Sequence, residues 1–309
     1  MTSFAELESR IRDVLERAGP QNGKAIIEAL EIEDHLLIWK VCRQSDLFRT
    51  INCARYYLRY DITRDNLLRL SPSVLRDFMS YSLIYLSHQK SDATQRSALL
   101  ANKHRLISLK KLKVARQALL SLESDIQVQL MQNACCFIAG DISYFLAHEE
   151  PRLHKELETI VHGSDIDILI VHDNDFDPEI VATAEKQMLG FKYRALKDPR
   201  VGEEVDFLFK PVRKMLDQFQ YSDIHQKIAC KILYESFFLF GRLDMYEKLQ
   251  SDLEFSGTKE KIELDFQTAL MERQNTINKI FDLTVSDNPK LDPEIESLFF
   301  FSQERLEFQ

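Results

Sequence analysis

The chain has 309 residues, of which 45% are hydrophobic and 29% are charged, with 8 Gly, 8 Pro and a net charge of −9. These values indicate a compact, largely helical soluble protein of two or three modules. No stretch approaches the roughly 18 uncharged apolar residues of a transmembrane helix, and the N-terminus lacks a secretory signal. We therefore expect a cytoplasmic protein without a membrane partner, whose five unpatterned cysteines are reduced thiols.

The N-terminal third has the periodicity of helices. Apolar residues at Phe4, Leu7 and Ile11 recur on one face of residues 3–18, and the helix they predict stops at the turn cluster 19–23. Several further helices are predicted from about 24 to 130. These elements form a predicted N-terminal helical domain, residues 1–130.

This predicted domain is basic, whereas the rest of the chain is acidic. Residues 1–130 have a net charge of +5 and the remainder −14. The basic residues, interleaved with aromatic ones, include Arg49, Arg55, Tyr56, Tyr57, Arg59, Tyr60, Arg64, Arg69, Arg76, Phe78, Tyr81, Lys103, Arg105, Lys110, Lys111, Lys113 and Arg116. Cations that meet phosphates and rings that stack on bases favour a nucleic-acid partner. Alternatively, the tyrosines are core residues and the arginines are solvated or bridge to the acidic half.

Two strands follow in the predicted α/β core, residues 131–215. Residues 134–140 read as a buried strand ending at Gly140, where the backbone can approach a phosphate, followed by a short helical pattern at 141–148. Residues 163–171 read as a strand with Asp165 and Asp167 on one side, roughly 6–7 Å apart. Two such carboxylates suit a pair of divalent cations about 3.5–4 Å apart. The alternative places both aspartates in a turn and helix cap.

A third acidic strand completes this core. A helix at 178–189 and a strand at 191–196 are predicted before the run 203–209, which contains Asp206. If the run 203–209 pairs beside the Asp165–Asp167 strand, about 4.8 Å away, Asp206 joins the other two aspartates around the cations.

The predicted C-terminal domain, residues 216–309, is helical. After a cap at Ser222 or Asp223, Lys227 and Lys231 lie on one face of a helix. An ion pair between Lys231 and Glu235 is an equally good explanation of this spacing. The apolar tail, 298–301, is expected to pack back on the protein or meet a partner.

Taken together, the segments FIAGDIS, GSDIDILIV and EEVDFLF resemble the catalytic core of the DNA polymerase β-like nucleotidyltransferase superfamily. The elements Ala229-Cys230-Lys231 and Arg242-Leu243-Asp244 are similar to those of its abortive-infection toxin branch. The resemblance covers residues 131–245. It implies an α+β, mostly helical fold in which a small mixed β-sheet core is flanked by N-terminal and C-terminal helical regions.

The resemblance also implies a reaction. A nucleoside monophosphate would pass from a nucleoside triphosphate to an acceptor, with RNA favoured, in a toxin or defence effector. The site residues it implies are Asp165, Asp167 and Asp206 for catalysis and two Mg²⁺ ions (or Mn²⁺), and Gly140, Ser143, Ser164, Lys227, Lys231 and Arg242 for the nucleotide. The chain departs from the family at Asp141, where the family has glycine or serine, and in the long interval between Gly140 and Asp165.

Two other functions fit the same residues. A catalytically degenerate nucleotidyltransferase fold, disabled by Asp141, would act by binding a nucleotide, a nucleic acid, a protein partner or another copy of itself. A helical nucleic-acid-binding protein would use the α/β core only as a scaffold.

Overall fold

The computed structural model describes residues 3–61, 67–153, 160–198, 200–282 and Phe299. Contacts divide the chain into two compact units. The first comprises Met1–Arg59, Leu68–Lys103 and Phe266–Gln309, and the second comprises Tyr60–Leu67 and His104–Asp265. Helices predominate over small sheets in the described residues, which confirms the predicted α+β class. Among these residues, no helix has the length and apolar character needed to cross a membrane.

The first unit begins with three helices, α1 (Phe4–Ala18), α2 (Gly23–Leu30) and α3 (His35–Gln44). Ser3, Asn22 and Asp34 precede them and accept hydrogen bonds from backbone N–H groups of the first turns, which otherwise have no partner. The predicted helix at residues 3–18 is confirmed. All three helices bury apolar faces in one core with residues of the following strands.

Strands occupy residues 48–86, where only helices were predicted. The elements are β1 (Phe48–Asn52), β2 (Tyr57–Asp61), β3 (Leu67–Ser71), the short helix α4 (Val74–Arg76), a π-helical turn (Asp77–Tyr81) and β4 (Ser82–Leu86). β1 pairs antiparallel with β4, and β2 pairs with β3. The helical prediction was wrong here because these five-residue strands are too short for their alternation to stand out from a helical pattern.

The long helix α5 (Lys90–Leu120) and α6 (Ser124–Asn133) precede the strands of the second unit. Those strands are β5 (Ala134–Ile138), β6 (Pro151–Leu153), β7 (Ile160–His162), β8 (Ile166–His172), β9 (Val205–Pro211) and β10 (Phe237–Gly241). β6 and β7 form a small hairpin. The main sheet has the order β10-β5-β8-β9, and β8 runs antiparallel to β5 but parallel to β9. β5, β8 and β9 agree with the predicted core strands. β10 does not, because residues 216–309 were predicted to be helical; that prediction was wrong for residues 237–241, a short apolar run whose pairing with β5 is not visible in local periodicity.

The remaining helices are α7 (Pro178–Lys197), α8 (Val212–Asp217), α9 (Ile224–Tyr234), α10 (Leu243–Phe255) and α11 (Thr258–Asp282). α7 continues through residues 191–196, so the strand predicted there was wrong. Asp177 caps this helix, Pro178 occupies its first turn, and buried Ala184, Met188 and Ala195 follow helical spacing. The helix predicted at 141–148 was also wrong, because only a 3₁₀ turn, Gly140–Ile142, forms there.

The two faces of the main sheet have different environments. Ile166, Ile168 and Ile170 of β8 enter the core with residues of α5, α6 and α7. On the opposite face Phe137 packs against Tyr246 of α10, with ring centroids 5.6 Å apart. Since side chains alternate across a strand, Asp167 emerges on this second face.

The apolar C-terminal tail is described only at Phe299. This side chain is buried in the core of the first unit, and its ring meets that of Trp39 edge-on with centroids 5.4 Å apart. The other predicted tail residues, Leu298, Phe300 and Phe301, lie outside the described residues.

Candidate functional site

The central feature of the site is a pair of aspartates on neighbouring strands. Asp167 of β8 and Asp206 of β9 are direct register partners across the parallel pair. Parallel strands lie about 4.8 Å apart, and partnered residues project from the same face. The predicted pairing of the two acidic strands is therefore confirmed, and it brings Asp167 and Asp206 together.

Asp165 does not complete a three-carboxylate site. It precedes β8, which begins at Ile166, and it is exposed. Within the part of the chain that the structure describes, no three His, Cys, Asp or Glu side chains converge closely enough to hold a metal ion. Carboxylate oxygens are the donors that Mg²⁺ prefers, so the chemistry of Asp167 and Asp206 suits the ion. The arrangement of the three predicted ligands, however, does not form a metal site.

A lysine that the sequence analysis missed neutralises Asp206. The Nζ of Lys192, on α7, donates a hydrogen bond to Asp206 Oδ1. Both side chains remain partly open to solvent, at 22% for Lys192 and 45% for Asp206. The contact could have been predicted only if residues 178–197 had been recognised as one helix from their helical spacing. The strand predicted at 191–196 prevented that.

The pKa of Asp167 is raised to about 6. Loss of hydration is the largest cause, followed by the negative charge of Asp206, while Lys231 acts in the opposite direction. Although Asp167 keeps an exposed surface, the surrounding protein displaces enough water to disfavour its charge. Glu204 and Asp141 raise the pKa further. This face of the sheet thus concentrates negative charge around one carboxylate.

Glu235 binds two of the groups predicted to hold phosphates. Its Oε1 accepts hydrogen bonds from the Gly140 amide at 3.0 Å and from Lys231 Nζ at 2.6 Å. The Glu235 side chain is 1% exposed and that of Lys231 is 12% exposed. The ion pair that was the alternative explanation of Lys231 is therefore present. Gly140 has a φ of +77°, and a side chain at this position would meet no atom within 4 Å, so the space beside this turn is open.

The residue that departs from the family pattern, Asp141, is also hydrogen-bonded within the protein. Its Oδ2 accepts a hydrogen bond from Ser164 Oγ at 2.6 Å and lies 3.9 Å from Nε2 of buried His148. Ser143 Oγ donates to the Gly140 carbonyl oxygen at 2.7 Å. Both serines predicted to contact the nucleotide thus shape the loop after β5.

The two remaining predicted cations have acidic partners. Lys227 Nζ lies 3.1 Å from Asp265 Oδ2. Arg242 pairs with Asp244 at 2.6 Å and with Asp173 at 3.1 Å. Neither of these side chains is brought to Asp167 by a contact in the described residues.

Gly163 fixes the approach of the chain to Ser164 and β8. Its φ is +64°, and a Cβ atom built on it would lie 1.7 Å from the carbonyl oxygen of His148. We expect Gly163→Ala to lower the free energy of unfolding by about 2–4 kcal/mol, because the left-handed backbone and the clash with main chain act together. Urea denaturation followed by circular dichroism measures this loss.

A matched substitution in α7 provides the control. Gly190 has no positive φ, and the nearest atom to a Cβ there is 3.4 Å away. Gly190→Ala is expected to stabilise the helix by about 0.5–1 kcal/mol. Equal effects of the two substitutions would contradict the steric argument for Gly163.

The predicted nucleic-acid face is only partly available. Four of the five interleaved aromatic residues are buried, namely Tyr57, Tyr60, Phe78 and Tyr81, in agreement with the alternative that these rings are core residues. Arg69, Arg76 and Lys111 are also buried, and Arg64 lies outside the described residues. Cations that remain exposed on α5 are Lys103, Arg105, Lys110, Lys113 and Arg116.

No protein-family model and no curated protein sequence matches this chain, so a functional proposal rests on the residues described above.

Proposed function

We propose that the protein is a metal-dependent nucleotidyltransferase that moves a nucleoside monophosphate from a nucleoside triphosphate to an acceptor. The observation that carries this proposal is the register pairing of Asp167 with Asp206 on parallel strands. The charge of Lys231 acts on Asp167, and the open turn at Gly140 contacts the same Glu235 as Lys231 does. The paired acids, the lysine and the glycine turn occur in the order that the sequence resemblance implies.

A divalent cation would stabilise the ionised form of Asp167, which loss of hydration and the negative charge of Asp206 disfavour. Asp167 and Asp206 are the proposed ligands for Mg²⁺ (two ions) or Mn²⁺. Lys192 must then release Asp206. Because that pair is partly exposed, its net contribution is about 0–1 kcal/mol, which a bound cation easily exceeds. Lys192 is therefore a weak competitor for a metal.

Glu235 would compete with phosphate for the Gly140 amide and Lys231, and it is bound more strongly than Lys192 is to Asp206. The Lys231–Glu235 pair is almost fully buried, and separating such a pair leaves an uncompensated charge that costs about 3–5 kcal/mol. Gly140 and Lys231 can bind phosphate oxygens only if their hydrogen bonds to Glu235 break, or if each donates to Glu235 and to a phosphate oxygen together. In the proposed nucleotide site, Ser143, Ser164, Lys227 and Arg242 are the further contacts. An RNA acceptor would meet exposed cations of α5, such as Arg105 and Arg116.

The test is transfer from α-³²P-labelled ATP, GTP, CTP and UTP to mixed RNA, with the protein itself as an alternative acceptor. We expect a labelled acceptor and released pyrophosphate in Mg²⁺ or Mn²⁺, and loss of both after addition of EDTA. Label that appears equally with EDTA would contradict metal dependence. Failure of all four nucleotides to label RNA or protein would contradict the transferase.

The second candidate function is nucleotide or partner binding by a degenerate transferase. Two observations favour it: Glu235 engages the Gly140 amide and Lys231, and the described residues contain no three-ligand metal group. Equilibrium dialysis distinguishes the two functions. Retention of Mg²⁺–ATP as intact triphosphate over hours, without label transfer, would favour the binding protein.

A further inference from the structure

The first unit contains a cavity of about 300 Å³ that the proposed transferase site does not use. Its lining includes Trp39 and Arg43 of α3, Asn52 of β1, Asp77 in the π-helical turn, and Arg273 of α11. This volume falls at the lower end of the range for small-molecule sites. Polar and apolar side chains are both present in the lining.

The polar group is centred on the Asp77 carboxylate, which is 14% exposed. It accepts hydrogen bonds from Asn52, Tyr56, Ser82 Oγ at 2.8 Å and Arg273 at 3.0 Å. A carboxylate has about four acceptor positions, so Asp77 is saturated. The Arg273 guanidinium also lies over the Tyr56 ring, 4.7 Å from its centroid. These contacts hold the polar wall in one arrangement.

The charge that remains comes from Arg43. The charges of Asp77 and Arg273 cancel, since the two form an ion pair. Arg43 is exposed, and within the described residues it makes no hydrogen bond or ion pair. A cavity that holds one uncompensated guanidinium favours a ligand with a single negative charge, because arginine binds carboxylates and similar acids through charge-assisted hydrogen bonds.

Most of the other lining residues are apolar. Trp39, Val74, Phe78 and Ile84 are each at most 3% exposed and belong to the core of this unit, so the apolar wall of the cavity is part of that core. A ligand that fills the cavity must therefore place an apolar body against these side chains. The π-helical turn Asp77–Tyr81 supplies Asp77 and Phe78, and such turns are rare and are frequently found at functional sites.

We propose that this cavity is a binding site for a small amphiphilic monoanion, an aromatic or branched aliphatic body that carries one acidic group. The body packs against Trp39 and Phe78, and the acid pairs with Arg43. This proposal is independent of the transferase.

The only tryptophan in the chain lines the cavity, which gives a direct optical signal. The probe is 1-anilinonaphthalene-8-sulfonate, an aromatic monoanion that accepts excitation energy from tryptophan. We expect saturable, one-to-one quenching of Trp39 emission in the full-length protein. Arg43→Gln is expected to weaken binding about tenfold, as befits loss of one charge-assisted contact. Arg49→Gln is the control, since Arg49 is an exposed arginine of the same unit outside the cavity lining, and should bind as the parent does.

A neutral probe with the same aromatic body, N-phenyl-1-naphthylamine, separates charge recognition from apolar attraction. It is expected to bind the parent protein about tenfold more weakly than the sulfonate and to be insensitive to Arg43→Gln. The proposal is overturned if quenching does not saturate, if both probes bind equally well, or if Arg43→Gln and the parent bind the sulfonate alike.

Discussion

Asp167→Asn is expected to abolish nucleotide transfer and, at the same time, to stabilise the folded protein at neutral pH. The amide keeps the shape of the side chain but removes the charge that the site requires. Loss of one preorganised charged group from a catalytic centre typically lowers the rate by at least about 10²-fold. A residue with only a structural role would show the opposite pattern, since its replacement would destabilise the fold.

The pH dependence follows from the raised pKa of Asp167. In the unfolded chain this carboxyl titrates near its ordinary value, below its folded value of about 6. Between these two values the folded state binds more protons than the unfolded state, so stability falls as pH rises through this interval. Asn cannot be charged, so the stabilisation by Asp167→Asn is fully present above about pH 6 and disappears below the unfolded value.

Thermal denaturation between pH 3.5 and 8, with and without Mg²⁺, measures both effects. Mg²⁺ that binds the native state raises the melting temperature of the parent protein by mass action and should leave Asp167→Asn unchanged. Asp175→Asn is the control, because Asp175 is exposed and makes no hydrogen bond or ion pair within the described residues. An Asp167→Asn variant that transfers nucleotide at the parent rate would contradict the proposed role.

The sequence was sufficient to place the strands of the candidate site. Residues 134–138 are a continuous apolar run, residues 166–172 and 205–211 each have an aspartate at the second position of a mostly apolar run, and all three are strands of one sheet. Pairing of β8 with β9 was the condition under which Asp206 was expected to join the other aspartates, and the two strands do pair. Their direct register, Asp167 opposite Asp206, depends on the crossover through α7 and could not be obtained from periodicity.

Contacts between distant side chains were harder to predict. Lys192 donates a hydrogen bond to Asp206 from α7, which was predicted as a helix followed by a separate strand. Glu235 was considered only as a partner of Lys231, yet it also binds Gly140, which lies 95 positions earlier. The position of Arg43 in the cavity could not be predicted, because nothing in the adjacent sequence distinguishes it from a solvated arginine. Such contacts arise from packing among several elements, which a local pattern does not encode.

Lys111 is the clearest example, and its replacement is expected to have the largest effect on stability. It belongs to the basic run Lys110-Lys111-Leu112-Lys113, which favours an exposed, polyanion-facing helix. In the structure Lys111 is fully buried, and its Nζ donates to Glu203 and to the His162 carbonyl oxygen at 2.7 Å. Burial lowers the pKa of Lys111, and the charge of Glu203 opposes that shift.

We expect Lys111→Met to lower the free energy of unfolding by about 3–5 kcal/mol, because it leaves the 1% exposed Glu203 without a counter-charge. Glu203 Oε1 already has no hydrogen-bond partner within the described residues. Replacing both residues, as Lys111→Met with Glu203→Leu, should therefore recover most of the loss. The measurement is urea denaturation followed by far-ultraviolet circular dichroism.

The neighbouring lysine is a matched control. Lys110 is exposed and pairs with Glu149 at 3.4 Å, so Lys110→Met is expected to change stability by less than about 1 kcal/mol. If Lys111→Met lost no more stability than Lys110→Met, the buried pair would not be formed.

Lys111→Met should also loosen the strand that carries Asp206. Glu203 lies immediately before Glu204, which is followed by the first residue of β9. Faster hydrogen exchange at Val205 to Phe207 in Lys111→Met than in Lys110→Met would connect this helix to the candidate site.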